Sequence, residues 1–279
     1  MSNFSASSQA SSFFNKKLHQ ALKTVYECGV KLEAKLETIA SAAIYFHKFY
    51  KICSPEQFDP MLIGATCIYL AGKVEEDHIK LRDLINVFHA TLNRANKMIP
   101  LQFDNYYWNL RESLVRLELL MLRVLKFDVN NDLAHRFLLH YLRSINEWIG
   151  KDYSSSTAFS QTCWSLLNDY YLNPKSIDHN ASHVAIAIIE IAIKTLGIQI
   201  PLENEALMDW KVALCENATK DKVHAIISEV LTLYENDDRE SASKPPPKEI
   251  SPRKTPNSEV TGGNIRQYTP AKIIEYPNK

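Results

Sequence analysis

Residues 59–76 read DPMLIGATCIYLAGKVEE, and this stretch decides the fold. Asp59 is a favourable N-cap residue and Pro60 a favourable first helical residue, so the sequence predicts a helix that begins here. No charged side chain occurs from Pro60 to Gly72, and a helix that is apolar on every side belongs at the centre of a bundle. A bilayer span needs about 20 such residues, so a membrane helix is excluded by length. Lys73 is either an ordinary end-of-helix lysine or a charge with a partner.

The composition of the chain bounds its class. With 279 residues, 46% of them hydrophobic, it can bury one large core or two smaller ones. Its 32 basic and 32 acidic residues cancel, so bulk electrostatics does not favour nucleic acid or anionic lipid. The first 14 residues lack the features of a signal peptide and are predicted to be a disordered lead-in. The five cysteines lack CxxC spacing and are predicted to be reduced residues of an intracellular protein, namely Cys28, Cys53, Cys67, Cys163 and Cys215.

The body of the chain is predicted to be entirely helical. Between Asn15 and Glu235 there are only five glycines and five prolines, and strand-like alternation is hard to find. The apolar spacing predicts five helices in the first half, at about 16–32, 37–52, 60–72, 81–88 and 104–126.

A second helical set is predicted after Asn131 and Asp132, which supply a new cap. A shift of 121 residues superimposes Phe46 on Leu167, Tyr50 on Tyr171, Leu70 on Ile191, Ala71 on Ala192 and Lys73 on Lys194. The simplest interpretation is two related helical units. From Asn236 onward the composition changes, because seven of the twelve prolines fall in the last 44 residues, and this part is predicted to be a disordered tail.

No catalytic or phosphate-binding motif occurs in the chain, so no cofactor is expected. His179 and His183 have the spacing of helical metal ligands, but no third ligand lies near them in the sequence. We interpret them as a cap and a core histidine rather than a metal site. The adjacent carboxylates Glu75 and Glu76, and also Asp237 and Asp238, are predicted to be solvated, because neighbours on a helix point apart.

Two segments carry a family resemblance. LAGKVEE at 70–76 and RLELLMLRVLKFDV at 116–129 resemble the cyclin box. The resemblance implies an all-α protein of two tandem five-helix cyclin boxes. Their predicted bounds are 15–130 and 131–236, flanked by the lead-in 1–14 and a proline-rich tail at 237–279.

The same resemblance implies the role of particular residues. In cyclins a lysine at the end of the third helix and a glutamate in the fifth meet the kinase, and Lys73 and Glu118 hold these positions. The implied binding face adds the apolar residues Leu70, Val74, Leu122 and Val129. The implied function is that of a regulatory subunit, not an enzyme, which activates a cyclin-dependent kinase as a heterodimer. The alternatives are a cyclin-fold nucleic-acid-binding factor and a peptide-binding adaptor that activates nothing.

Within the family, KVEE followed by LRDLINV resembles the transcription-type cyclins. WNLRESLVRLELLMLRVL and HYLRSINEWI resemble the cyclin-Q (cyclin M) subfamily, which implies cyclin-dependent kinase 10 as the partner. A partner of the cyclin K, L or T type is the alternative. LKTVYECG at 22–29 lacks the MRAIL-type motif by which cell-cycle cyclins dock substrates. The resemblance also implies a location in the nucleus, with the cytoplasm as the alternative.

The tail carries two candidate phosphorylation sites. Ser251-Pro252-Arg253-Lys254 and Thr269-Pro270-Ala271-Lys272 both fit the S/T-P-x-K/R pattern of proline-directed kinases. A phosphate at Ser251 or Thr269 would add about −1.5 to −2 charges next to basic residues, enough to change a tail contact.

Overall fold

The structure is a computed structural model that describes residues 3–94, 101–149, 153–198 and 210–242. Side chains are described for 16–94, 101–148, 157–198 and 210–235. Within these ranges the chain is helical without a strand, which confirms the predicted all-α class. The helices are α1 (Asn3–Lys31), α2 (Leu36–Ile52), α3 (Pro60–Val74), α4 (Leu81–Leu92), α5 (Asn105–Val124), α6 (Ala134–Ile149), α7 (Tyr153–Tyr170), α8 (Ala181–Leu196), α9 (Trp210–Leu214) and α10 (Lys220–Ala242), with a 3-10 turn at Pro174–Ile177.

The helix α3 is the centre of the first bundle, as its uncharged sequence predicts. The Asp59 side chain caps it by accepting a hydrogen bond from the Leu62 N–H. It packs against α1, α2, α4 and α5. Gly64 permits the contact with α1, since a Cβ there would lie 2.7 Å from Val25 Cγ2. The small side chains of α3 therefore set how closely the neighbouring helices approach.

The second bundle, α6 to α10, repeats this arrangement around α8. Its central helix begins at Ala181, 121 residues after Pro60, so the start of α8 agrees with the repeat seen in the sequence. Asn180 caps α8 by accepting from the Ser182 N–H. Gly197 ends it in the left-handed conformation, with φ 64°, which glycine adopts without steric cost.

Two helix boundaries and one cap differ from the sequence-based expectation. The backbone of α1 begins at Asn3, within the predicted lead-in 1–14, and α10 continues to Ala242, past the predicted start of the tail. Neither segment contains a proline that would stop a helix. The predicted cap at Asn131 and Asp132 was wrong. The Ala134 N–H at the start of α6 donates instead to the Tyr171 hydroxyl, a contact 37 residues apart that sequence spacing does not reveal.

The two bundles are joined through buried polar contacts. The Tyr26 hydroxyl donates to the Asn168 carbonyl at 3.0 Å. His47 Nε2 lies 2.9 Å from the Tyr171 carbonyl, and burial lowers the pKa of His47 to about 4, so the neutral ring donates its Nε2–H. Each contact satisfies a buried group across the junction, which gives the two units a defined relative position.

Candidate functional site

The residues predicted to meet a partner come together where α3 ends beside α5. Lys73 is in the last turn of α3, and its Nζ lies 2.6 Å from Glu118 Oε1 in the middle of α5. The Lys73 side chain is 50% exposed and that of Glu118 14% exposed. The predicted pair is therefore formed, and it lies at the surface with its glutamate largely covered.

Two opposing effects act on the Lys73 ammonium. Partial burial acts to lower the pKa of Lys73, but the hydrogen bond and the negative charge of Glu118 outweigh it and raise this pKa. The ammonium also lies 4.3 Å from the centre of the Tyr69 ring, within the range of a cation–π contact. Lys73 is thus charged at neutral pH and held in one direction by two neighbours.

The backbone that follows Lys73 is fixed by contacts with α2. Ser41 Oγ donates to Glu75 Oε1 at 2.6 Å, so Glu75 is not the solvated carboxylate that its sequence predicts. Asp77 accepts from the Lys35 N–H at 2.8 Å and from the Thr38 hydroxyl at 3.0 Å, which caps the start of α2. These contacts join residues at least 34 positions apart. The prediction that Glu75 is solvated was wrong because it considered only its neighbour Glu76.

The other border of the site is the turn after α5. Lys126 and Phe127 both have positive φ, at 55° and 60°, and the Phe127 N–H donates to the Leu122 carbonyl. The buried Tyr45 hydroxyl donates to the Val129 carbonyl at 2.6 Å. Non-glycine residues rarely adopt this conformation, and it persists here because the surrounding hydrogen bonds define the turn.

The apolar residues predicted for the face are placed at different depths. Leu70 is only 3% exposed, so it supports the surface from within the core. Val74, Leu122 and Val129 are half-buried; Val74 follows Lys73 in the chain, Leu122 lies one turn after Glu118 on α5, and Val129 lies in the turn after α5.

Two apolar side chains that sequence reasoning missed are more exposed. Phe127 is 63% exposed and Leu119 is 49% exposed. Large exposed apolar side chains are candidates for an interface, because covering them removes apolar area from water. Leu119 adjoins Glu118 in sequence, and Phe127 lies within the KFDV end of the motif. Their positions in the sequence, close to predicted site residues, were the signal that could have identified them.

The other candidate positions do not form a site. His179 Nε2 lies 3.0 Å from Glu229 Oε2 and Asn180 is the cap, so His179 is not the predicted cap, whereas His183 is a buried core histidine. Among the described residues, no three histidines, cysteines or acidic residues are placed to hold a metal ion. No helix in the same part of the chain has both the length and the apolar character to span a membrane. Ser251 and Thr269 lie outside the described residues.

Comparison with known proteins identifies the class. Residues 2–130 match the family model described as "Cyclin, N-terminal domain". A chain of the yeast RNA Pol II CTD kinase CTDK-1 complex superimposes with a TM-score of 0.63 at 16% identity, covering 81% of this chain and 67% of that one. A chain of the CAK complex from Chaetomium thermophilum does so with a TM-score of 0.58 at 13% identity, covering 88% and 81%. The first part of the chain is thus similar to a cyclin N-terminal domain, the fold is the cyclin fold, and membership of the cyclin family is supported.

The sequence relatives include cyclins of the K, L and T types. Human cyclin-K is 27% identical over 217 residues, which cover 77% of this chain and 36% of that protein. Mouse cyclin-L2 is 27% identical over 212 residues, covering 75% and 39%, and human cyclin-T2 is 28% identical over 192 residues, covering 69% and 25%. The chain spans between a quarter and two fifths of the length of these three relatives. These relatives are of the K, L and T types, and they leave the cyclin-Q resemblance as a prediction.

Proposed function

We propose that this chain is the activating subunit of a cyclin-dependent protein kinase, and that one surface of it binds the αC helix of that kinase. This α3–α5 surface comprises Lys73 and Glu118 together with the apolar residues Val74, Leu119, Leu122, Phe127 and Val129. The observation that carries the proposal is the Lys73–Glu118 pair, held at 2.6 Å between two helices, with large exposed apolar side chains on α5 and in the turn that follows it. A charged pair with unused hydrogen-bonding capacity is suited to bonding backbone groups of a partner, while apolar side chains on the same elements bury area against it.

The mechanism follows from what a kinase needs. Phosphoryl transfer requires an ion pair between the lysine of the third kinase strand and the αC glutamate. A binding partner shifts the αC helix inward only if it binds that conformation better than the outward one. The Lys73 and Glu118 side chains are held by neighbouring contacts before binding, so little side-chain entropy is lost when the kinase docks.

The apolar part of the surface would supply most of the affinity. Phe127 and Leu119 are large side chains already exposed in the free chain, so covering them removes apolar area from water at about 25 cal/mol per Å². The charged pair would then fix the register of the two helices. This division resembles other interfaces, in which a few central anchors dominate binding.

The identity of the kinase is the finer part of the proposal. The cyclin-Q resemblance of WNLRESLVRLELLMLRVL and HYLRSINEWI favours cyclin-dependent kinase 10. The second candidate is a kinase of the kind bound by cyclins K, L or T, which is supported by relatives at 27–28% identity. A transcriptional role and a nuclear location accompany both candidates and are proposed with them.

Co-expression with individual cyclin-dependent kinases tests the proposal. The full chain should co-purify with its kinase in a one-to-one complex and increase phosphorylation of a peptide substrate, while the chain alone transfers no phosphate. Cyclin-dependent kinase 10 should be bound in preference to the kinases of cyclins K, L and T. Binding without activation would support the adaptor instead, and binding of nucleic acid with no kinase captured would support the nucleic-acid-binding factor.

A further inference from the structure

A second surface lies on the junction of the two bundles. A cleft of about 1030 Å³ is lined by residues of α1, α2, the 3-10 turn and α10. None of its lining residues belongs to the α3–α5 surface. The volume is typical of a site that takes a peptide segment or a small ligand.

The cleft has an apolar wall, and small side chains of α10 form its floor. Tyr50 of α2 and Leu172 and Ile177 from the second bundle contribute half-buried apolar side chains to it. On α10 the cleft is lined by the exposed small residues Ala225, Ser228 and Thr232, which repeat every three or four positions along one helix face. Small side chains in such a row allow another chain to lie close against the helix.

Charges of both signs surround the cleft. Lys51 Nζ lies 2.6 Å from Asp178 Oδ1, and Lys175 Nζ lies 3.2 Å from Glu229 Oε1. Lys51, Asp178 and Lys175 are more than half exposed. Exposed pairs of this kind contribute little, about 0–1 kcal/mol, so their members are available to exchange partners with a docking segment.

The chain itself continues from α10, the helix that forms the floor of the cleft. Residues 243–279 follow Ala242, the last residue of α10, and lie outside the described residues. Ile250, Val260 and Ile265 stand singly in this sequence, whereas Ile273, Ile274 and Tyr276 lie within four positions. That cluster is accompanied by Lys272 and Glu275, which match the mixed charges around the cleft.

We propose that the segment 268–277 of the same chain, YTPAKIIEYP, docks in the cleft between the two bundles. Its isoleucines and Tyr276 would cover the apolar wall, and Lys272 and Glu275 would pair with the acidic and basic residues of the rim. Pro270 and Pro277 favour an extended backbone in the residues that precede them, a shape suited to a groove.

The geometry of the connection permits this docking. The helix carries the chain only about 14 Å from Leu233 to Ala242, at 1.5 Å per residue. Residues 243–267 then form a connection of 25 residues, with a coil dimension of about 25–30 Å. A connection of this size gives a millimolar effective concentration, so a segment with a dissociation constant of about 0.1 mM would be docked about nine tenths of the time.

Photocrosslinking in the full chain tests the proposal. Tyr276 is replaced by p-benzoylphenylalanine, which keeps an aromatic ring, and crosslinked peptides are identified by mass spectrometry after irradiation at low protein concentration. The expected result is an intramolecular crosslink to peptides of α2, the 3-10 turn or α10. The same photoreactive residue at Val260 is the matched control and should give a much lower yield at these positions.

A second pair of variants locates the docking site. Ala225→Arg combined with Thr232→Arg places two cations on the exposed floor, and the crosslink yield should fall by about tenfold because the apolar segment then covers unpaired charges. Leu231→Arg, at an exposed position of α10 outside the cleft, should leave the yield unchanged. Crosslinks to the α3–α5 surface, crosslinked dimers in place of intramolecular products, or a yield equal to that of the Val260 control would each overturn the proposal.

Discussion

Lys73 and Lys194 hold equivalent positions near the ends of α3 and α8, but their partners differ. Lys73 bonds across to Glu118 of another helix, whereas Lys194 bonds to Glu190 of its own helix, at 2.7 Å. Glu190 also pairs with Lys211 of α9 at 2.8 Å, so in the second bundle the cross-helix ion pair is made by a different lysine. This contrast provides a matched control for the proposed kinase contact.

Lys73→Ala and Glu118→Ala should each weaken kinase binding and leave the free chain almost as stable as before. The exposed lysine adds little stability in water, but once the kinase covers the pair, removal of one charge costs about 2–5 kcal/mol, which is roughly 30-fold or more in affinity. Binding measured by calorimetry and the melting temperature of each variant check this. Lys194→Ala should retain the affinity for the kinase. If the Lys73→Ala/Glu118→Ala double mutant binds and activates the kinase normally, the kinase binds a different surface.

Phe127→Ala should reduce kinase affinity by tenfold or more, because truncation of an exposed aromatic anchor at an interface costs about 2 kcal/mol. The free chain should unfold at a similar denaturant concentration, since the side chain contacts little in it. Leu139→Ala is the control, because Leu139 is 62% exposed on α6 of the second bundle. Equal losses in the two variants would show a general effect of apolar surface.

Gly64→Ala should destabilise the chain by about 1–3 kcal/mol, because its Cβ would approach Val25 Cγ2 to 2.7 Å and α1 would have to move. Denaturant unfolding measures the loss. In the double mutant Gly64→Ala/Val25→Ala, the free energy of unfolding should be higher than the sum of the two single effects predicts, by about 0.5 kcal/mol or more. Strict additivity would mean that the two residues are not in steric contact.

Stability should fall between pH 6.5 and pH 4 through His47. The pKa of the folded residue is lowered to about 4, while that of the unfolded chain is near 6.5, so the unfolded state binds the extra proton. The stabilisation is complete above pH 6.5 and is about 2 kcal/mol smaller at pH 5. His47→Gln can still donate to the Tyr171 carbonyl and should lack this slope. Burial also lowers the pKa of His135 and His183, so the difference between the two proteins is the quantity to measure.

Removal of residues 243–279 should leave kinase binding and activation nearly unchanged and abolish most phosphate incorporated into this chain by its partner kinase. The proposed kinase surface consists of residues of α3, α5 and the turn after α5, and Ser251 and Thr269 both lie in the removed part. Radiolabel incorporation and peptide mapping measure it. Undiminished phosphate uptake, or loss of activation on truncation, would contradict this separation of roles.

The sequence by itself determined the helical class, the central helix α3 and its repeat in α8, because uncharged runs and capping residues act within one helix turn. It also located Lys73 and Glu118, although only through a family resemblance, since no local rule relates residues 45 positions apart.

The tertiary structure alone decided which groups meet. Glu75 accepts from Ser41, the start of α6 bonds to Tyr171, and Phe127 is turned outward by two consecutive residues with positive φ. Each of these depends on the packing of helices far apart in the chain, and the energy of such contacts is set by distance in space rather than by spacing in sequence. The cleft at the junction of the bundles has the same origin, because its walls come from four elements that no single stretch of sequence contains.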